Sequence, residues 1–274
     1  MKADLHIHSI YSDGIHTPLE LTMRAKREGL DLICITDHDN MGGDDDKQAA
    51  FKQCGIPFIR GWEVSTVTDR KVHILGYNCK FGKAYDEFLE RRKEEALERA
   101  EKMLLLANAY LKTDVKIDDV VEQCCLEGNV LHPIYTARAI GKRLGRPGHC
   151  IDVFTELFDK GKPAYVSPRR PRPEEAIDVI HELGGVAVLA HPGRMRLNGK
   201  YELLEDLVKY GIEGMECYYT THTEAETEEY LAFARKHKLF ITGGSDFHFD
   251  HGKPVFGKPD YIVDENFLAR VMPS

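Results

Sequence analysis

The sequence predicts an α/β fold in which a series of parallel strands, forming a sheet or a barrel, is interrupted once by a helical insertion. Three observations predict it. Short apolar runs alternate with amphipathic stretches over residues 1–80 and again over 165–274. Between them, residues 81–164 carry helical patterning and no strand signal. The strand-like runs end in histidines and carboxylates, and parallel α/β folds collect their functional groups at the carboxyl ends of their strands.

Each element has a local cause. Residues 3–8 alternate Leu5 and Ile7 with Asp4, His6 and His8, so a strand there projects both imidazoles from one face. Two neutral imidazoles so placed can share a divalent cation, but a polar barrel interior or a solvated edge strand produces the same pattern. A helix follows from Thr17, with Pro18 at its first position, Glu20 completing a capping box and Gly29 as its stop. The apolar run Leu32–Ile35 predicts a strand buried on both faces, leading into Thr36-Asp37-His38-Asp39. A helix starts near Asp44-Asp45-Asp46, where the dipole favours acids, and closes at Gly55. Strands are predicted from Pro57 to about Trp62, delivering Glu63, and from Val72 to Tyr77, carrying His73.

The insertion reads as a long charged helix over 83–111, then helical segments near 117–126, 134–144 and 150–160. The pairs Glu87/Arg91, Glu95/Arg99 and Glu98/Lys102 stand four residues apart and mark a solvated face. Pro163–Val166 is predicted to return the chain to the sheet, followed by a proline-stiffened loop with Arg169, Arg170 and Arg172. Helices at 174–183, 201–210 and 224–237 then alternate with strands at Val186–Leu189, Ile212–Cys217 and Leu239–Thr242, before a final strand at Tyr261–Val263 and a short helix.

Composition bounds the function. With 274 residues, 30% charged, and a net charge of −8, the chain has material for a large core and no broad attraction for duplex nucleic acid or anionic membrane. No apolar stretch is long enough to span a bilayer, and the amino terminus shows no signal-peptide pattern. The seven cysteines, at 34, 54, 79, 124, 125, 150 and 217, contain no C-x-x-C pair. Free thiols in a reducing cytoplasm fit that pattern, and the expected location is cytoplasmic.

On this map His6, His8, Asp37, His38, Glu63, His191, Glu216, Asp246 and His248 all fall at strand ends, whereas His16, His149, His181 and His237 scatter. Core packing does not account for that convergence, because unpaired buried polar groups are costly. A metal centre does.

The residues also resemble a known family. D-x-H-x-H-S-x-x-S-D-G at Asp4–Gly14, T-D-H-D at 36–39, G-W-E at 61–63, H-x-x-G-Y at 73–77, A-H-P-G-R at 190–194 and G-S-D-F-H at 244–248 are similar to the motifs of the PHP (polymerase and histidinol phosphatase) superfamily. The nearest resemblance is to stand-alone phosphoesterases with a helical insertion that act on nucleotides. It implies a distorted (β/α)7 TIM-like barrel made of residues 1–80 and 165–274, with 81–164 as an insertion forming a lid. It implies two or three divalent cations: one on His6, His8, Glu63 and Asp246, a second on Asp13, His38 and His248, a third on His73, His191 and bridging Glu63. Nitrogen and carboxylate donors without sulfur suit manganese, iron or zinc. Asp4 and Asp37 are candidates to orient imidazoles, or else strand-end carboxylates capping backbone amides.

The activity so implied is hydrolysis of phosphate monoesters of nucleotides, such as nucleoside 5′-monophosphates or 3′,5′-bisphosphates, or of short oligonucleotides, by a metal-bridging hydroxide. Asp246, His222 and Arg194 are the candidate catalytic residues, Arg194 as the phosphate clamp and His222 as acid or phosphate donor. His132 and Arg138, in the insertion, are candidate substrate contacts with Arg194 and His222. A histidinol-phosphate phosphatase is the alternative enzyme. A metal-stabilised binding or regulatory module is the non-enzymatic one, and it predicts missing ligands where none is missing.

Overall fold

A computed structural model of the chain describes residues 1–124, 129–196, 201–250 and 255–272. Two compact units divide it: Met1–Asp86 with Arg170–Ser274, and Glu87–Arg169.

The first unit is built on β1 (Lys2–Ile7), β2 (Leu32–Ile35), β3 (Gly61–Val67), β4 (Lys71–Tyr77), β5 (Val186–Leu189), β6 (Gly214–Tyr219), β7 (Phe240–Gly244) and β8 (Tyr261–Ile262). Its helices are α1 (Pro18–Arg27), α2 (Asp44–Cys54), α7 (Pro173–Glu182), α8 (Glu202–Lys209), α9 (Glu224–His237) and α10 (Glu265–Val271). The strands form two sheets, neither closed on itself, in the orders β2-β1-β8 and β3-β4-β5-β6-β7. Single parallel bridges, Ile7 with Phe247 and His38 with Glu63, lie outside the named strand pairings. The architecture is mixed α/β.

Strand direction departs from the sequence-based expectation. β1 with β2, and β5 with β6 and β7, pair in parallel, but β4 runs antiparallel to both β3 and β5, and β8 antiparallel to β1. The cause is connection length. Only Thr68, Asp69 and Arg70 separate β3 from β4, and parallel neighbours need a crossover of about a dozen residues or more. Reversal brings the start of β4, not its end, beside the end of β5, where Ala190 N–H donates to His73 O at 3.1 Å. β3 also begins at Gly61 rather than Pro57, so Glu63 lies inside the strand.

Helix starts follow their sequence signals. Thr17 accepts from Glu20 N–H at 3.3 Å while the Glu20 carboxylate accepts from Thr17 N–H at 2.8 Å, a reciprocal cap of the α1 terminus worth about 1 kcal/mol. Thr223 and Glu226 repeat it on α9. Apolar burial sits between strands and helices: Leu5, Cys34, Leu75, Val188 and Phe267 belong to one cluster, and Ile7, Leu21, Ile35, Phe51 and Phe247 to another. Trp62 is wholly buried.

The second unit carries most of α3 (Lys83–Leu111), then α4 (Ile117–Val121), α5 (Pro133–Arg143) and α6 (Cys150–Leu157). Met103, Ala107, Val120, Ile140, Val153 and Phe158 share its core. The expected helix at 117–126 ends at Val121, and its last two residues, Cys125 and Leu126, lie outside the described ones. Pro163–Val166 is not a strand: Ala164 N–H bonds Leu157 O, Tyr165 N–H bonds Lys162 O, and Val166 O accepts from Arg99, all within the helical unit. Among the described residues no two cysteines are joined by a disulfide. Among the described residues no helix is long and apolar enough to cross a membrane.

Candidate metal centre

Glu63 is the hub. It is fully buried, and five imidazoles meet its two oxygens. Oε1 lies 2.8 Å from His73 Nδ1 and 2.9 Å from His191 Nε2. Oε2 lies 3.0 Å from His38 Nδ1 and 3.3 Å from both His6 Nε2 and His8 Nε2. Across from it, Asp246 Oδ1 stands 3.4 Å from His6 Nε2 and 3.2 Å from His8 Nε2.

The arrangement fits a cation. His6 Nε2 and His8 Nε2 are each 3.2–3.4 Å from Glu63 Oε2 and Asp246 Oδ1. Donors held at about 2.0–2.2 Å around a tetrahedral ion lie about 3.3–3.6 Å apart. His6 Nε2, His8 Nε2 and Glu63 Oε2 are buried yet make no hydrogen bond of sound geometry, a costly state that a shared cation removes. Two further groups offer ligand atoms within 4.8 Å of one another: His8, Asp13, His38 and His248, and His38, Glu63 and His73. His191 adjoins the last of these through Glu63.

Electrostatics says the same. Burial opposes protonation of His6, yet Glu216, Glu63 and Asp246 outweigh it and raise the imidazole well above its usual range. His8 is raised to about 10 against the same opposition, through Asp246 and Glu63. Burial favours neutral carboxyls at Glu63 and Asp246, but the surrounding imidazoles hold both well below the carboxylate range. His73 goes the other way, to about 3, because burial outweighs Glu63. The carboxylates demand positive charge, and cations can supply it in place of protons.

Strand ends and tight turns aim these groups. Asp246 has φ +58° and His191 φ +27°, strained values of the kind that persist at functional sites. Asp246 N–H donates to His6 O at 2.7 Å and His8 N–H to Phe247 O at 2.9 Å, fixing the two motifs against each other. Gly244 is required between them, since a Cβ there would fall 2.3 Å from His6 Cβ and 2.8 Å from Glu216 Oε1.

Behind the cluster stands Glu216, wholly buried in β6. His6 Nδ1 lies 3.1 and 3.2 Å from its two oxygens, and Oε2 accepts from His191 N–H at 2.7 Å. The sequence places Glu216 at a strand end without a role; its signal is a lone acid in the apolar run Gly214–Tyr219. Asp4 and Asp37 orient loops rather than imidazoles. Asp4 accepts from Ser245 N–H and Oγ–H at 2.8 and 2.6 Å and from Gly257 N–H at 2.9 Å; burial raises its carboxyl to about 6. Asp37 accepts from Ser9 N–H, Ser9 Oγ–H and Ser12 Oγ–H, each at 2.8 Å, and pairs with buried Lys47 at 2.6 Å. It thereby fixes the loop that presents Asp13. Nothing local in the sequence marks Lys47, whose partner lies in another element.

Beyond His191 the chain makes a 3-10 turn, Pro192–Met195. Arg194 NH1 reaches Asp246 Oδ2 at 2.6 Å, and Tyr219 Oη–H donates to the same oxygen at 2.9 Å. More than half of the Arg194 side chain is exposed, so it stands at the mouth of the site. His222 does not. Its Nδ1–H donates to Cys217 O at 2.9 Å and its Nε2 accepts from Gly193 N–H at 3.1 Å. Burial lowers its pKa, which suits that neutral tautomer. With both ring nitrogens engaged on backbone, it has no proton to offer a leaving group, contrary to the acid role anticipated from sequence. It holds the turn that carries His191 and Arg194. Arg170 NH1, on the proline-stiffened loop, lies 3.4 Å from His73 Nε2.

His132 and Arg138 belong to the second unit. His132 caps α5, with Nδ1 3.4 Å from Ile134 N, and the Arg138 guanidinium lies 5.4 Å from the centre of the Tyr135 ring. They are not in the ligand cluster.

Residues 4–130 match the family described as the PHP domain. A 5′-3′ exoribonuclease of Haemophilus influenzae is 30% identical over 266 residues, 96% of each chain. A 3′,5′-nucleoside bisphosphate phosphatase of Chromobacterium violaceum is 33% identical over 249 residues, 89% of this chain and 84% of that one. A crystal structure from Bifidobacterium adolescentis, provisionally described as a metal-dependent phosphoesterase, superposes with a TM-score of 0.82 at 27% identity, covering 98% of this chain and 95% of that one.

Proposed function

The chain belongs to the PHP-domain family, and on that premise we propose how its site works as a metal-dependent phosphoesterase on nucleotide substrates. It is an enzyme, a phosphoric ester hydrolase. Both relatives named above act, by their names, on phosphate esters of nucleotides or RNA, and that substrate class is taken here in preference to histidinol phosphate. The finer assignment is a nucleoside 5′-monophosphate, a 3′,5′-bisphosphate or a short oligonucleotide.

The observation that carries this reading is the buried cage of His6, His8, Glu63 and Asp246 with its 3.2–3.4 Å spacings. We assign a first cation to that cage, a second to Asp13, His38 and His248 with His8, and a third to His73 and His191 with Glu63. Manganese, iron and zinc all suit such donors. Bound there, divalent cations would lower the pKa of a water and offset charge on the phosphoryl oxygens.

The protein's own contribution is positioning. Arg194 binds the phosphoryl oxygens through a planar guanidinium that matches them bidentately. Asp246 and Tyr219 aim that guanidinium, and His222 anchors the turn beneath it. Glu216 keeps the His6 ring turned inward and holds the backbone at His191. We also infer that the two sheets close into a distorted seven-stranded barrel. The supporting contacts are the Ile7–Phe247 bridge, from β1 to the segment after β7, and the His38–Glu63 bridge, from the segment after β2 to β3.

The test is a panel of an aryl phosphate, nucleoside monophosphates, 3′,5′-bisphosphates, short oligonucleotides and histidinol phosphate, assayed with added manganese. Preference for the nucleotide substrates is expected. A metal-loaded protein inert on all of them overturns the reading.

A further inference from the structure

Beside the metal centre the first unit holds a cavity of about 320 Å³ to which no role has been given. Its lining includes Tyr218, Tyr219, His222, Glu224, Thr227 and Glu228. None of these is a metal ligand. Tyr219 is the partition between cavity and centre: its ring lies 5.4 Å from that of His191, and its hydroxyl is shared by Asp246 at 2.9 Å and Arg194 at 3.4 Å. A phosphate ester held by Arg194 therefore stands one side chain away from the cavity.

The lining selects an occupant. Half-buried Tyr218 offers aromatic surface of the kind on which planar bases stack, whereas Tyr219 is buried and only walls the cavity off from the centre. Glu224 and Glu228, exposed on the first turns of α9, have no ion-pair partner among the described residues. Unneutralised carboxylates repel a second phosphate, and they accept hydrogen bonds from N–H and O–H donors. The volume is at the small end of ligand pockets, suited to one nucleoside rather than an oligonucleotide.

We propose that this cavity is a nucleoside subsite: the ester phosphate lies at Arg194 and the metal ligands, while the base and sugar of the same nucleotide pass over the Tyr219 partition at the exposed rim and occupy the space between Tyr218 and the α9 glutamates. Bases presenting amino or imino donors, guanine foremost, suit the two carboxylates. The inference rests on the phosphoesterase reading above.

Two variants test it, each checked by thermal melting. Thr227→Phe fills the cavity, and the double variant Glu224→Gln/Glu228→Gln keeps its shape while removing its charge. The first readout is the ratio of kcat/KM for guanosine monophosphate to that for an aryl phosphate. The second, independent of turnover, is binding of guanosine itself by ligand-observed NMR. A ratio lowered roughly tenfold or more in both variants, with guanosine binding lost in Thr227→Phe, is expected. If Thr227→Phe does not fold, the double variant decides by the same ratio. An unmoved ratio, or guanosine bound equally by wild type and Thr227→Phe, overturns the subsite. If wild type hydrolyses no ester, the phosphoesterase reading falls, and guanosine binding alone then decides for or against the cavity.

Discussion

Replacing Glu216 by glutamine isolates what the buried carboxylate behind the ligands does. Glutamine keeps the volume and one acceptor oxygen but turns the other oxygen into a donor amide. Two protein donors face that position: His191 N–H at 2.7 Å, and His6 Nδ1 at 3.1 and 3.2 Å. One glutamine oxygen serves one of them well; the other faces the amide. A hydrogen bond to a charged acceptor contributes about 1.5–3 kcal/mol, and an unsatisfied buried donor costs about 1–3 kcal/mol. Against this, the cost of burying a charge disappears. The net loss should be about 1–3 kcal/mol, roughly 2–12 °C in Tm for a chain of this size. The larger effect falls on metal binding, because His6 loses the partner that fixes its tautomer and leaves Nε2 free to ligate; about 10- to 100-fold weaker affinity is expected. Thermal melts of metal-free protein and competition with a chromogenic chelator measure the two effects separately. A variant with lowered Tm but wild-type metal affinity would refute the orienting role and leave Glu216 as a packing residue.

Other substitutions probe the remaining parts. Asp246→Asn should reduce turnover by about a thousandfold or more while the circular dichroism spectrum stays native; substantial residual activity would remove Asp246 from the first cation's ligands. Arg194→Ala should act mainly on KM, raising it about tenfold or more with a smaller change in kcat, and an unchanged KM places the phosphate elsewhere. Gly193→Ala puts a methyl 2.6 Å from His222 Cδ2 and 2.9 Å from its Nε2, so the turn must shift; about 1–3 kcal/mol of stability and a matching rise in KM are expected. Wild-type kinetics in that variant would mean that the His222 anchor does not govern Arg194.

The cluster of imidazoles and carboxylates was legible in the sequence for a physical reason. Histidines and acids at the ends of apolar runs are costly to bury without a partner, so their convergence at strand ends pointed to a shared site, and the six motifs added a family resemblance. Glu216 was visible as a position but not as a role, since its partners come from β1 and the turn after β5. Lys47 and Tyr219 were illegible, because each matters through one long-range contact, to Asp37 and to Asp246. His222 shows the converse hazard. Its place just after β6 suggested an acid or phosphate donor, and only the two backbone bonds reveal a neutral, fully engaged ring. Strand direction failed at β4 because alternation of patterns does not count the residues available for a crossover. The predicted strand at Pro163–Val166 failed because an apolar tetrapeptide has no partner encoded in itself, and here its Ala164 and Val166 pack with the helical unit's core.

The central claim is that the imidazole–carboxylate cage holds cations that hydrolysis requires. Stripping the purified protein with a chelator, assaying a nucleoside monophosphate, and then titrating manganese back tests it most directly. Activity lost on stripping and restored with metal bound stoichiometrically in wild type, but not in Asp246→Asn, is the predicted result. Undiminished hydrolysis by protein shown to be metal-free would contradict it.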